Sequence, residues 1–270
     1  MTQPDPEFLS FGMCNGALTP TRDLRISPLG SGFMFGEGLF ETVAVKNSQP
    51  RLFQSHHARL SDSVRAFGAP SIAPESQLRI HCDAVIEANA VENGSLKIVI
   101  FKEMAGWSEL IFARANTYPP SRYEIGFQLQ TVRCEQRSDP LSGRKSLNYL
   151  ANIQAKRAAL AAGFDEPLFI DSREVVLEGA TTNLFIVRGG AVLTPPLAAG
   201  ILPGVMRAHI LGRLGYNFAL EQNITHAELL AADEVFVTNA LLGVMPVARV
   251  DSTRYDLRQS PITRSLVETQ

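Results

Sequence analysis

The apolar positions of this chain follow two periods in turn. Over residues 56–67, Leu60, Val64 and Phe67 fall on one face at helical spacing, and Gly68 supplies the residue that ends such a helix. Leu78, Cys82 and Val85 repeat the pattern over residues 77–88. Residues 43–45, 50–53, 96–101 and 109–115 are short apolar runs that predict strands, so this half is α+β. Tyr118-Pro119-Pro120-Ser121 then interrupts both periods, because two prolines continue neither a helix nor a ladder. We therefore divide the chain into a domain of residues 1–120 and a domain of residues 121–270.

In the second half, Ile125, Phe127 and Leu129 alternate as a half-buried strand. A loop rich in charge and glycine leads from there to Lys145. Residues 148–162 form an alanine-rich helix that stops at Gly163. Residues 168–171, 175–178, 183–187 and 192–194 predict a strand meander with Arg188-Gly189-Gly190 as one turn. A helix follows over 205–214, and Thr225-His226-Ala227-Glu228 has the spacing of a capping box. Strands at 234–238 and 244–247 flank a turn at 239–243, and Ser260-Pro261 opens a terminal helix.

Composition narrows the function. The 270 residues are 45% hydrophobic, enough for a sizeable core, and the formal net charge of −2 offers no basic field for nucleic acid. Cys14, Cys82 and Cys134 are odd in number and widely spaced, and no His or Cys-x-x-Cys cluster accompanies them. Neither a disulfide framework nor a metal site is expected, and a reducing cytoplasm suits the thiols. No run of about 18 apolar residues predicts a membrane span, and the first residues lack a secretory pattern.

The candidate chemistry lies in a few segments. Lys145 opens Lys145-Ser146-Leu147-Asn148-Tyr149-Leu150, and Glu178 opens Glu178-Gly179-Ala180-Thr181-Thr182-Asn183-Leu184-Phe185. A lysine can form a Schiff base with an aldehyde cofactor, and a carboxylate can hold a pyridine nitrogen protonated. Arginine, here Arg59, and the amides of a helix start, here Val205 and Met206, suit a phosphate. On spacing alone, Lys145 reads first as a solvated loop lysine and Arg59 as a surface helix arginine. Glu178 reads equally as a strand-end carboxylate bonded to turn amides.

Six segments in order resemble the class IV, or fold-type IV, pyridoxal phosphate (PLP) enzymes. They are Phe35-Gly36-Glu37-Gly38-Leu39-Phe40-Glu41-Thr42, His56-His57-Ala58-Arg59-Leu60, the Lys145 run, the stretch from Asp165-Glu166 to Phe185, Gly200-Ile201-Leu202-Pro203-Gly204-Val205-Met206-Arg207, and Asn239-Ala240-Leu241-Leu242-Gly243-Val244-Met245-Pro246-Val247. The resemblance implies a fold like that of D-amino acid aminotransferase, with a smaller N-terminal α/β domain and a larger C-terminal β-pseudobarrel. It implies PLP on Lys145, with Glu178 at the ring nitrogen and Arg59, Val205, Met206, Asn239 and Ala240 around the phosphate. Tyr149 is either a partner of the cofactor's phenolic oxygen or a core tyrosine. Phe40, Lys102, Trp107 and Leu241 would line the substrate pocket, while Glu41 and His56 are expected to be structural.

Among such enzymes, the Val205-Met206-Arg207 helix start, the 239–247 turn and the Pro140-Leu141 approach to Lys145 are most similar to 4-amino-4-deoxychorismate lyases of folate synthesis. The segment from Phe101 to Trp107 lacks the arginine pair that relatives carry, which leaves a branched-chain or D-amino acid aminotransferase as the alternative. A relative that binds without turnover would not need both Lys145 and Glu178. The resemblance also implies a homodimer in which the 102–107 loop reaches toward the neighbour's pocket, with Met104 and Trp107 exposed in a lone subunit.

Overall fold

The computed structural model describes residues 8–69, 72–115, 118–134, 141–215 and 218–269. Pro140 and the first seven residues, which entered the reading above, lie outside these. The chain falls into two compact units, Met1–Thr117 with Arg144–Asn148, and Tyr118–Gly143 with Tyr149–Gln270. Lys145 thus belongs with the first unit, whereas a contiguous domain beginning at residue 121 would place it in the second.

The first unit is built on an antiparallel sheet. Its strands are β1 (Phe8–Cys14), β2 (Ala17–Pro20), β3 (Gly38–Lys46), β4 (Gln49–Pro50), β5 (Gly94–Glu103) and β6 (Gly106–Ala115), in the order β2-β1-β6-β5-β3-β4. A short helix α1 (Ser31–Phe35) precedes β3, and α2 (Phe53–Ala66) and α3 (Glu75–Ala88) follow β4. Leu60 and Val64 of α2 and Leu78, Cys82 and Val85 of α3 pack with Val43, Val45, Leu96, Ile98 and Ile111 of the sheet. The helical periods read from the sequence are therefore core faces. Gly68 takes the left-handed conformation just beyond α2, at φ 64°. The strand expected at 50–53 is a correction: β4 ends at Pro50, Leu52 turns the chain at φ 50°, and Phe53 already begins α2.

β4 covers only one end of β3, pairing Val45 and Lys46. At the other end the chain returns: the Phe40 amide donates to the Lys145 carbonyl at 2.8 Å, and the Leu147 amide donates to the Gly38 carbonyl at 2.9 Å. Gly38 is required here. A Cβ would sit 2.6 Å from Leu147 Cδ1 and 2.7 Å from the Ile100 carbonyl oxygen.

The second unit opens with a one-turn helix α4 (Ser121–Ile125), followed by β7 (Phe127–Arg133), α5 (Leu150–Ala161), β8 (Glu166–Ile170), β9 (Val176–Gly179), β10 (Asn183–Arg188), β11 (Ala191–Thr194), α6 (Val205–Leu214), β12 (Ala219–Glu221), α7 (His226–Leu230), β13 (Glu234–Asn239), β14 (Gly243–Val250), β15 (Thr253–Arg254) and α8 (Pro261–Glu268). Ile125 is a second correction, since it ends α4 and the strand begins only after Gly126 reverses the chain at φ 74°. The path β10-β13-β14-β7-β8-β9 closes on itself because β9 also pairs with β10, through Glu178 and Asn183. Leu129, Leu168, Ile170, Leu184, Ile186, Val235, Val237, Met245 and Val247 fill its core. The expected meander is present as β8 to β11, but most of β10 pairs with β13. The capping box at Thr225 and Glu228 forms in both directions.

Candidate active site

In the first unit the return of the chain sets the Lys145 amine 4.5 Å from the centre of the Phe40 ring. Lys97, on β5, places its own amine 3.2 Å from the same ring. Two lysine nitrogens therefore approach one buried aromatic ring, an arrangement not legible in the sequence. Lys97 has no carboxylate within ion-pair distance among the described residues. Burial pushes its amine well below the usual lysine range, and Lys145 and Arg114 push the same way against a smaller opposing effect of Glu41. The signal available in sequence was a lysine at an interior position of an otherwise apolar strand.

Arg59, on α2, is held rather than solvated. Its Nε donates to Glu41 Oε1 at 2.8 Å and its Nη2 to Glu41 Oε2 at 2.6 Å, while His56 Nδ1 lies 2.7 Å from the same carboxylate. Glu41 and His56 are both buried. Burial alone would raise the Glu41 carboxyl; the Arg59 charge and the hydrogen bonds from His56 and Arg59 outweigh it and hold it at about 2. The structural roles expected for Glu41 and His56 thus consist in fixing the guanidinium.

In the second unit, Glu178 is half-buried at the end of β9. Its carboxylate accepts the Leu202 amide, 3.1 Å from each oxygen, and Asn183 Nδ2 at 3.0 Å. The turn 202–204 leads into α6, whose first residues are Val205 and Met206. The N-cap there is Gly204, which has no side chain to cap the helix. No side-chain oxygen caps the amides at this helix start, whose polarity is the kind that suits an anion. Asn239 is spent on local structure: its Oδ1 accepts the Leu241 and Leu242 amides at 2.9 and 2.8 Å, and its Nδ2 donates to the Thr181 carbonyl at 3.2 Å. It shapes the turn that carries Ala240 and Leu241. Glu166, fully buried on β8, accepts the Thr181 amide and hydroxyl and so holds the turn just after Glu178.

Tyr149 and Trp107 each make a contact that the sequence did not specify. The Tyr149 hydroxyl donates to the Ala180 carbonyl at 2.7 Å, so its proton is engaged within the second unit. Trp107 lies on β6 opposite Lys102, packs against the core of the first unit and has the Lys102 amine 5.8 Å from its ring. The expected exposed loop is instead the tip of the β5–β6 hairpin, where Met104 remains 70% exposed.

Residues 38–250 match the family described as amino-transferase class IV, and the chain belongs to it. A branched-chain aminotransferase of Thermoproteus uzoniensis superposes with a TM-score of 0.88 at 26% identity, over 97% of this chain and 93% of that one. The 4-amino-4-deoxychorismate lyase of Pseudomonas aeruginosa superposes with a TM-score of 0.81 at 28% identity, over 96% of this chain and 97% of that one. The aminodeoxychorismate lyase of Bacillus subtilis is 27% identical, over 93% of this chain and 90% of its own. The fold is the two-domain fold-type IV arrangement, and the cofactor of this family is PLP. The residues present suit that group: a lysine amine, a held arginine, a half-buried carboxylate and a helix start with no side-chain cap match its aldehyde, phosphate and pyridine. Among the described residues no helix is long and apolar enough to cross a membrane.

Proposed function

We propose that this chain is a cytoplasmic aminodeoxychorismate lyase, converting 4-amino-4-deoxychorismate to 4-aminobenzoate and pyruvate. The observation that carries this reading is Lys97: a half-buried amine on the Phe40 ring beside Lys145, without a carboxylate partner among the described residues, suits a substrate that bears carboxylates. It also places an amine, ready to take up a proton beside a carboxylate, where the sequence lacks the arginine pair of some relatives. Val205, Met206 and Ala240 support the same reading, because aminotransferases often carry hydroxyl residues at the last two positions.

PLP, when bound, supplies an aldehyde for the substrate's amine and an electron sink for the carbon that bears it. Lys145 Nζ would hold the cofactor and would take the proton from the carbon bearing the amine. The electron pair left by that proton would form the last ring double bond as the neighbouring carbon–oxygen bond breaks, and the departing enolate would take up a proton to leave as pyruvate. Glu178 keeps the pyridine nitrogen protonated. Arg59, fixed by Glu41, would hold the phosphate, as would the Val205 and Met206 amides and the Asn239–Ala240 turn. Phe40, Lys102 and Leu241 would line the substrate space, and Trp107, packed in the first unit's core, would act only through the placing of Lys102.

Purified holoprotein should release pyruvate from aminodeoxychorismate, measured by coupling to lactate dehydrogenase. Keto acid formation from L- or D-amino acids without pyruvate release would assign a transaminase instead. We further propose a homodimer, because Phe35 and Met104 leave large apolar side chains exposed on the first unit, at 72% and 70%. Light scattering should give twice the chain mass; a monomer with full activity would refute the dimer.

A further inference from the structure

Directly across the seam that closes the second unit's ring, Asn183 faces Glu178 as its Cα partner, so the two side chains share a face of the sheet. One Asn183 amide group does three things there. Its Nδ2 donates to Glu178 Oε2 at 3.0 Å and to the Leu202 carbonyl at 2.9 Å. Its Oδ1 rests against Gly204, where a Cβ would lie only 1.9 Å from it. Leu202 in turn donates its own amide to Glu178. The carboxylate, the amide side chain and the turn thus form a closed loop of hydrogen bonds, and that turn runs straight into Val205 and Met206.

We infer that Asn183 is a positioning residue that locks the Glu178 carboxylate to the start of α6, so that the partner of the pyridine nitrogen and the amides for the phosphate are held as one rigid piece. This rests on the proposed role of Glu178. An aspartate could not substitute, since it would set a second carboxylate against Glu178 and could not donate to Leu202. A serine would be too short to span both partners. Gly204 is required for the same reason, because any side chain would displace the amide. Holding a functional group by its neighbours is how a site keeps its geometry before the ligand arrives, and losing such support costs affinity as well as rate.

The test uses holoprotein reconstituted with PLP labelled with 15N in the ring, in the native chain and in Asn183→Asp, Asn183→Ser and Glu178→Gln. Three quantities are read: the ring-nitrogen chemical shift, PLP retention by equilibrium dialysis, and the Tm of the apoprotein. Both Asn183 variants should move the shift toward unprotonated pyridine and weaken PLP retention about ten- to hundred-fold, as expected for a lost hydrogen bond to a charged group. Serine is included because aspartate could impair folding through charge repulsion. A native shift and native retention in either folded Asn183 variant, with only Tm lowered, would make Asn183 merely structural. If Glu178→Gln itself leaves the nitrogen protonated, the role of Glu178 fails and the inference falls with it. If Glu178→Gln moves the shift and the Asn183 variants do not, the inference alone is rejected.

Discussion

Lys145→Ala should abolish turnover, by at least about four orders of magnitude, because it removes the covalent anchor and the proton carrier together. The backbone around it should survive. The bonds that place this segment, Phe40 amide to Lys145 carbonyl and Leu147 amide to Gly38 carbonyl, are main-chain bonds that an alanine keeps. The effect should therefore be chemical rather than structural, visible as an unchanged Tm of the apoprotein beside a lost reaction rate. Borohydride reduction of native holoprotein, followed by peptide mapping, should find the cofactor on Lys145. Lys97 is the informative competitor, since its amine sits on the same Phe40 ring. A label on Lys97, or a rate reduced less than a hundredfold in Lys145→Ala, would transfer the role to that neighbour.

Acid should loosen the first unit through Glu41. Its carboxyl is held at about 2 in the folded chain against an ordinary 4.5, a difference worth roughly 3 kcal/mol. Because the folded value lies below the unfolded one, this contribution is complete above about pH 4.5 and is lost as the pH falls from there toward about 2. Glu41→Gln should cost about 3–5 kcal/mol at neutral pH, since it leaves Arg59 beside a neutral group in a buried setting. Its stability curve should also be flatter across the same acid window. Urea titrations at a series of pH values measure both, and a parallel pair of curves would move the acid sensitivity to another carboxyl.

What the sequence could reveal followed the range of the interactions involved. The capping box at Thr225, the left-handed stops at Gly68 and Gly163, and the core faces of α2 and α3 are settled within a few residues, and each was legible. The strand expected at 50–53 failed because Leu52 adopts a left-handed turn that a hydrophobic pattern does not announce. The alternation through Ile125 failed for a similar reason, the reversal at Gly126. For the candidate site, residue types and motif order point to Lys145, Glu178 and Arg59. The groups that hold them did not stand out, because the bonds are long-range: Glu41 reaches Arg59 from another element, and Asn183 gains its second partner at Leu202 only through the closed ring. Lys97 was hidden for the same reason, since nothing local links it to Lys145 on the far side of the chain's path.

The return of Arg144–Asn148 to the edge of β3 gives the first unit a temporal order. A ribosome that has delivered the chain only as far as β6 has made every strand of that sheet, yet the end of β3 at Gly38–Phe40 still offers unpaired backbone groups of the kind that recruit foreign strands. That edge stays open until a later stretch of the nascent chain, whose neighbours on both sides belong to the other unit, comes back to cover it. The segment that closes it carries Lys145, so the sheet is sealed by the same stroke of synthesis that delivers the amine.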